Sequence, residues 1–149
     1  MNNKTIIIDT RERDPYFFDG VESIHQKLDT GDYSLLGYEH EITIERKNLN
    51  DWVSTIIYNQ RRFRKELRHM AQLNRAYIIV EGSVMDIHNH NYHSSAKPNS
   101  VLGMSLAIMQ QWGIPVLFAC NRPMALNCTR RLLLGYPTVY KPQKDNLNQ

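Results

Sequence analysis

The order of apolar and polar residues along the chain predicts short β-strands in its first third. Ile6–Ile8 is a continuous apolar run, which is typical of a strand buried on both faces. Two weaker strands are predicted over 23–27 and 31–36, and Gly37 marks a turn after them. The next strand, over 41–47, alternates strictly: its isoleucines take one face, and the other face carries the side chains of Glu41, Thr43, Glu45 and Lys47.

A periodic segment then predicts one long helix from about Leu49 to Leu73. Its apolar residues recur at helical spacing and form one inward face, made of Val53, Ile56, Phe63, Leu67 and Met70. The rest of the chain alternates further elements, namely a strand over 76–81, a polar loop over 88–99, a helix over 100–112, a strand over 114–120 and a helix over 122–134. This order predicts an α/β fold in which one mixed central β-sheet is flanked by α-helices.

The composition adds that the chain is an ordinary globular protein of one domain. Of its 149 residues, 42% are hydrophobic and 22% are charged, and a domain of this size buries a full core without disulfides. We expect no membrane segment, because no apolar run reaches the roughly 20 residues that a spanning helix needs. With two cysteines and no secretory signal before the first strand, we expect a cytoplasmic location. The polar residues 139–149 are expected to form a disordered tail.

The positive charge is concentrated in one short segment. The formal net charge is only +3, but residues 61–69 alone contain five arginines and lysines and one glutamate. Such a stretch favours an anionic partner, although a solvated helix face is the simpler alternative. Arg61, Lys65 and Arg68 lie four and three residues apart, so that they present their charges together.

Acidic residues and one lysine recur at the predicted strand ends. Glu45 and Lys47 are two apart in the alternating strand, so their side chains project from one face. Asp51 follows Glu45 by six residues at the start of the helix. Asp32 lies on the preceding strand, and Asp9 ends the first one. Neighbouring carboxylates are costly to desolvate without a cation, and a hard cation such as Mg²⁺ prefers oxygen ligands.

Each of these carboxylates also has a simpler interpretation. A single one is more often a solvated surface charge or a helix cap. For Asp51 alone the cap is favoured, although Asn48 or Asn50 can also cap this helix. A Glu-x-Lys strand is common as an exposed edge. The conjunction of all five positions is what favours a site.

These residues resemble a family signature. Gly31-Asp32 followed by Glu45-Arg46-Lys47-Asn48-Leu49-Asn50-Asp51 resembles the GD…ERKxxxD motif of the XPF-type structure-specific endonucleases, as in stand-alone bacterial and phage members. Residues 7–12 resemble the family's opening strand, which ends in Asp-x-Arg-Glu, and the segments 77–82, 99–103 and 113–116 continue the likeness. The resemblance spans Ile6 to about Leu134.

The resemblance implies a restriction-endonuclease-like core over 1–138 that hydrolyses branched DNA with Mg²⁺ or Mn²⁺. By position, Asp32 and Glu45 would bind the metal directly and Asp9 would line the same site. Arg46 would contribute its backbone carbonyl or a structural ion pair. Lys47 would contact the attacking water or the scissile phosphate. The residues that would act beside the metal or support its ligands are Asp51, Glu12 and Arg11.

The resemblance also bears on partners. It implies DNA contacts by the basic helix residues Arg61, Arg62, Lys65 and Arg68, although relatives often place an arginine where Asn59-Gln60 stands here. The polar loop would add His90, Tyr92 and Lys97. Larger members carry a helix-hairpin-helix domain after the core, so a homodimer or a separate DNA-targeting partner is expected. Three alternatives stay open: a non-catalytic DNA-binding or scaffold subunit, a nuclease of the same core that acts in restriction or end processing, and a zinc site at His88, His90 and His93.

Overall fold

Six strands form one mixed sheet in the computed structural model of the protein, which describes residues 3–137. The strands are β1 (Ile6–Ile8), β2 (Ser23–His25), β3 (Tyr33–Leu35), β4 (Ile42–Asn48), β5 (Arg75–Glu81) and β6 (Val116–Phe118). They lie in the order β2-β1-β3-β4-β5-β6. β3 pairs antiparallel with β1 and β4, and the other neighbours pair in parallel. The predicted mixed α/β sheet is confirmed, with several strands shorter than predicted.

Five helices accompany the sheet, α1 (Leu49–Tyr58), α2 (Gln60–Met70), α3 (Val84–His88), α4 (Pro98–Trp112) and α5 (Arg122–Gly135). The prediction of one helix from Leu49 to Leu73 is wrong, because the backbone leaves the helical conformation at Asn59, with φ −121° and ψ 30°. The apolar spacing hid this break, since the inward face continues across it. The sequence prediction also missed α3, which begins with a capping box of Ser83 and Asp86.

The helices cover both faces of the sheet and create two cores. On one face α1, α2 and α4 pack on β4, β5 and β6, and the predicted inward residues from Val53 to Met70 are all buried there. On the other face α5 packs with Tyr16, Phe18 and Tyr33. β4 is therefore central, and even Thr43 is fully buried, with its hydroxyl donating to the backbone oxygen of Thr30.

Three further points concern membrane segments, the cysteines and the tail. No helix within residues 3–137 is long and apolar enough to cross a membrane. Cys120 is exposed, Cys128 is half-buried, and both are free thiols. The predicted tail over 139–149 lies outside the described residues.

Candidate active site at one end of the central strands

Backbone pairing brings the motif acids of three strands together at one end of the sheet. The Asp9 amide donates to the carbonyl of Asp32 at 2.8 Å, and the Asp32 amide donates to the carbonyl of Ile44 at 2.8 Å. Asp9, Asp32 and Glu45 thereby line one cavity of about 170 Å³, together with Arg11. The backbone pairing of neighbouring strands thus brings these acids together, as the sequence predicted.

Gly31 explains why a glycine precedes Asp32. Its φ is +79°, in the left-handed region that side chains disfavour. A Cβ atom here would lie 1.9 Å from the hydroxyl oxygen of Thr43 on the neighbouring strand. The loop therefore passes against β4 as only glycine permits, and Asp32 enters the cavity from that position.

The Asp32 carboxylate is tied to the motif strand and repelled by its neighbour. Its Oδ2 accepts the backbone N–H of Arg46 at 2.8 Å. Burial, followed by the nearby charge of Glu45, raises the pKa of Asp32 well above its usual range. Burial also raises the pKa of Glu45, although the ammonium of Lys47 opposes this. Two carboxylates thus share a poorly solvated space, and their negative charges are incompletely compensated.

Lys47 is the cation nearest to this pair. Its Nζ lies 3.2 Å from Oε1 of Glu45 and 5.9 Å from the ring centroid of Phe63 on α2. Burial alone would lower the pKa of Lys47, but the carboxylates of Glu45 and Glu66 outweigh it and raise the pKa. Lys47 is therefore held charged beside the acids, on the same face of β4 as the alternation predicted.

Asp9 differs from the other two acids because the protein already satisfies both of its oxygens. Arg11 donates to Oδ2 from its backbone at 3.1 Å and from Nε at 2.9 Å, and the Leu28 amide donates to Oδ1 at 2.8 Å. Burial would raise the pKa of Asp9, but these hydrogen bonds hold it below the usual range. Asp9 lines the cavity as predicted, and its hydrogen bonds anchor the loop that follows β1.

Arg46 projects to the opposite face of the sheet, where it forms ion pairs. Its guanidinium contacts Glu81 at the end of β5, and Nη1 lies 3.4 Å from Oε1 of Glu12. The group also lies over the Tyr16 ring, 5.1 Å from its centroid. Glu12 therefore lies at the same end of the sheet as the cavity, but its carboxylate is paired with Arg46.

Helix α2 supplies two cavity residues that the sequence analysis missed, Glu66 and His69. Asp29 and Thr30, in the loop before Gly31, were missed as well. Glu66 lies one turn after Phe63, whose ring is beside Lys47, so this side of α2 brings Glu66 to the site. The spacing in the sequence places Glu66 on the same side of α2 as Phe63. Only the packing of α2 on β4 determines which strand this side faces.

Asp51 is exposed in the first turn of α1 and is not among the residues that line the cavity. The cap of this helix is Asn48, whose side-chain oxygen accepts the Asp51 amide at 2.8 Å. The prediction of Asn48 as a possible cap is therefore confirmed, and the interpretation of Asp51 as the cap is wrong. Asp51 occupies the third helical position, where a carboxylate suits the helix dipole.

The predicted DNA contact by Tyr92 needs correction. The Tyr92 side chain is only 7% exposed and belongs to the core on the α2 face, and its hydroxyl donates to the carbonyl of Ala96 at 2.5 Å. An aromatic residue in a polar loop looked like a surface residue, but here it anchors the loop. Lys97, the other loop residue predicted to contact DNA, is exposed at the start of α4. The loop is also bonded to α1, because the His93 amide donates to the side-chain oxygen of Asn50.

The basic residues of α2 lie outside the core, as predicted from their spacing. All five are exposed, and within residues 3–137 none forms an ion pair with an acidic side chain: Arg61, Arg62, Arg64, Lys65 and Arg68. Glu66 and His69 of the same helix line the acidic cavity. The basic surface and the cavity are therefore joined by one helix.

The donor set at the cavity suits a hydrated divalent cation. Among residues 3–137 no group of three His, Cys, Asp or Glu side chains is arranged as a metal cage, and this includes the three histidines considered for zinc. Mg²⁺, however, is commonly held by one or two carboxylates and keeps several waters for a phosphate. Asp32 and Glu45 provide two adjacent carboxylates with raised pKa values, which is the arrangement that such a cation relieves.

A mixed sheet with acids and a lysine at the end of its central strands defines a class of α/β nuclease-like domains, and comparisons identify the family. The family model described as "ERCC4 domain" matches residues 8–132. The chain therefore belongs to the ERCC4 domain family, the XPF-type family that its motifs resemble.

Solved structures share the fold. XPF from Aeropyrum pernix superposes with a TM-score of 0.62 at 21% identity, covering 86% of this chain and 60% of that one. The same protein in complex with DNA gives a TM-score of 0.69 at 21% identity, covering 87% and 63%. The chain thus spans less than two thirds of these structures, and the predicted nuclease fold is confirmed.

A curated relative is much longer than this chain. A Methanocaldococcus jannaschii protein with the name "Putative ATP-dependent RNA helicase MJ1505" is 30% identical over 118 residues. The alignment covers 78% of this chain but 14% of that protein. The chain therefore spans about a seventh of the relative's length.

Proposed function

We propose that this chain is an endonuclease that uses Mg²⁺ or Mn²⁺ to hydrolyse phosphodiester bonds in branched DNA such as flaps, forks or recombination junctions. The observation that carries the proposal is the pair of poorly solvated carboxylates, Asp32 and Glu45, beside the charged Lys47 in one open cavity. Nucleases of the ERCC4 domain family generally use divalent metal ions. The chemistry of this donor set supports the same requirement here.

Asp32 and Glu45 would hold the cation in this proposal, with the backbone carbonyl of Arg46 as a further ligand and Asp9 lining the same site. A bound divalent cation lowers the pKa of a coordinated water and neutralises charge on the phosphate. Lys47, whose Nζ lies 3.2 Å from Oε1 of Glu45, would orient the attacking water or contact the scissile phosphate. Arg11 would keep Asp9 ionised and fixed, because it donates to that carboxylate.

Glu12 and Asp51 have less direct roles in the proposal. Glu12 would add negative charge near the metal ligands while it holds Arg46. Asp51, exposed at the start of α1, would act from the rim of the site when DNA is bound. The exposed Lys97, beside the loop that is bonded to α1, would contact a phosphate.

The cleavage assay tests the central proposal. We expect the chain to cut labelled flap, fork or four-way-junction DNA with Mg²⁺ or Mn²⁺, and to lose this activity with a chelator. A blunt duplex of equal length is the control substrate. If no DNA of this panel is cut with either metal, the chain is a non-catalytic DNA-binding or scaffold subunit instead. Titration with Mn²⁺ separates that case further, because a scaffold need not bind metal.

Helix α2 is proposed to bind the phosphate backbone through the basic residues that it exposes. We expect the triple change Arg61→Gln, Lys65→Gln and Arg68→Gln to weaken DNA binding at all sequences. Each lost phosphate contact lowers the slope of log affinity against log salt by about 0.9, so the slope should fall by up to roughly 3. Fluorescence anisotropy titrations at roughly 50 to 200 mM salt measure this slope. Lys27→Gln, an exposed lysine before β3, is the matched control, and an unchanged slope in the triple variant would contradict the proposal.

We further propose that residues 1–138 form the nuclease domain and that two copies form a homodimer. The exposed Leu117 on the edge strand β6 would take part in this contact. Recognition of branched DNA would involve this dimer or a separate DNA-targeting partner. We also propose a cytoplasmic location, where free thiols such as those of Cys120 and Cys128 stay reduced.

A further inference from the structure

Glu66 is an acidic residue of the basic helix α2, and its side chain lines the cavity. Two possible cationic partners lie one turn away on the same helix, Arg62 before it and His69 after it. Within residues 3–137, however, Glu66 forms no ion pair with these or with any other cationic side chain. The wall of the cavity on the α2 side therefore carries a carboxylate that pairs with none of the cations described.

The packing of α2 brings Glu66 close to the ion pair of Lys47 and Glu45. The ring of Phe63, one turn before Glu66 on the same side of α2, has its centroid 5.9 Å from Nζ of Lys47. Burial lowers the pKa of Lys47, and the carboxylates of Glu45 and Glu66 raise it. Burial raises the pKa of Glu45, Lys47 opposes this, and the negative charge of Glu66 adds to it. Glu66 therefore acts electrostatically on both members of the pair, from the side where the Phe63 ring lies.

Lys47 depends on Glu45 for its ion pair. Its Nζ lies 3.2 Å from Oε1 of Glu45, and residues 3–137 offer no other carboxylate within 4.0 Å of it. The Lys47 side chain is only 20% exposed, so water solvates the ammonium poorly. The proposed function assigns the Glu45 carboxylate to a divalent cation, which would leave the ammonium without a partner and beside a second positive charge. A poorly solvated charge of this kind is costly unless another acid compensates it.

The other charged groups of the cavity are already engaged. Arg11 donates to the Asp9 carboxylate and to the carbonyl of Leu28, so it needs no further acid. The bonds of Asp9 to Arg11 and Leu28 occupy both of its oxygens, and Asp32 is the second proposed metal ligand. Glu66 is exposed and unpaired among the described residues, and it is therefore the acid that can compensate Lys47.

We propose that Glu66 is a positioning residue that receives the Lys47 ammonium from Glu45 when Glu45 binds the divalent cation. The inference rests on the proposed function for the cation, and it adds how the lysine stays charged and in place beside it. The transfer needs only rotation within the flexible four-carbon stem of Lys47. The Phe63 ring, one turn before Glu66, stays beside the ammonium on this side.

Two other roles for Glu66 make different predictions. As a metal ligand it would have to approach the cation together with Asp32 and Glu45, but among residues 3–137 no three such side chains are arranged as a metal cage. As a helix surface charge it would pair with Arg62, and it would then stabilise the fold whether or not Lys47 is present. The experiments below separate both roles from the proposed one.

The first experiment uses thermal unfolding of the full chain in a chelator. Glu45→Gln removes the charge that a bound cation would neutralise, so it imitates the metal-bound state of Glu45 without metal. In this background we expect Glu66→Gln to lower Tm by about 3 °C, against less than about 1 °C in the unchanged chain. When Lys47→Met is added to the Glu45→Gln background, the effect of Glu66→Gln should also fall below about 1 °C. Asp29→Asn, which changes another exposed acid of the cavity, is the matched control and should have little effect in every background.

The second experiment measures Mn²⁺ binding by calorimetry and cleavage by the same chains. Glu66→Gln should weaken Mn²⁺ binding about fivefold when Lys47 is present, and by less than about twofold in the Lys47→Met background. In cleavage, Glu66→Gln should lower kcat about tenfold and leave KM for DNA nearly unchanged, because Glu66 orients Lys47 and does not bind the substrate.

Three results would overturn the inference. They are a Glu66→Gln variant that loses no stability in the Glu45→Gln background, a loss that persists after Lys47→Met, which would make Glu66 a structural surface charge, and equally weakened Mn²⁺ binding with and without Lys47, which would make Glu66 a metal ligand. Failure of the proposed function is distinguishable. A chain that neither binds Mn²⁺ nor cuts DNA contradicts that function, while unfolding in chelator still decides whether Glu66 receives Lys47.

Discussion

Replacing Asp32 with asparagine is expected to abolish cleavage while making the metal-free protein more stable. The side-chain amide introduced by Asp32→Asn keeps an oxygen for the Arg46 backbone N–H, which lies 2.8 Å from Oδ2 of the aspartate. The change removes a negative charge that burial and Glu45 disfavour, as the raised pKa of Asp32 records. We expect a gain of about 1 kcal/mol, or about 3 °C in Tm. Activity should fall on the order of 10³-fold, because a metal ligand is lost.

The pH dependence of this gain has a definite sign. The ordinary pKa of Asp32 is 3.8 and its pKa in the folded state is raised. As pH rises through the ordinary value, the unfolded chain releases this proton while the folded chain still holds it, so ionisation destabilises the fold. The difference in Tm between Asp32→Asn and the unchanged chain should therefore be small in acid and grow toward neutral pH. Thermal unfolding at several pH values measures it.

Asp29 offers a matched control for this experiment, since it lines the same cavity but is exposed. Asp29→Asn should leave Tm nearly unchanged. Mn²⁺ should raise the Tm of the unchanged chain and of Asp29→Asn, because an ion that binds only the folded chain stabilises it. It should not raise the Tm of Asp32→Asn, which lacks a proposed metal ligand. An Asp32→Asn variant that cleaves normally, or that unfolds at lower temperature than the unchanged chain, would contradict the assignment of Asp32.

Local periodicity was enough to predict much of the fold and part of the site. Alternation alone places Glu45 and Lys47 on one face of β4, because successive side chains of a strand always point to opposite sides. The inward face of α1 and α2 was equally predictable from its spacing. These predictions needed no knowledge of which elements become neighbours in space.

The residues that were missed depend on long-range packing. Glu66 and His69 join the cavity only because α2 lies across β4, and no local pattern states that pairing. Tyr92 has a polar neighbourhood in the sequence but a core position in the fold. The helix break at Asn59 escaped for a related reason, since the apolar spacing from Ile56 to Phe63 suits a continuous helix.

The role of Arg46 also depends on long-range packing. We expect its replacement to cause a larger loss of stability than any other substitution proposed for this chain. Its side chain is 11% exposed and that of its partner Glu81 10%. Arg46→Met therefore leaves Glu12 without its partner, and it leaves Glu81 in a poorly solvated space with only the Tyr16 hydroxyl and, at 4.0 Å, Arg122. Breaking a buried ion pair from one side costs about 3 kcal/mol or more, and Tm should fall by roughly 6–12 °C. Urea unfolding of both chains gives the difference in free energy.

Arg122 makes a demanding control, because its guanidinium lies over the same Tyr16 ring, at 4.9 Å from the centroid. It is 37% exposed and pairs with Asp14, which is 76% exposed, so Arg122→Met should cost no more than about 1 kcal/mol. Adding Glu81→Leu to Arg46→Met should recover part of the loss, since one uncompensated carboxylate is then removed. Equal losses in the two arginine variants would mean that stacking on Tyr16 stabilises this end of the sheet, and that the ion pairs of Arg46 contribute little.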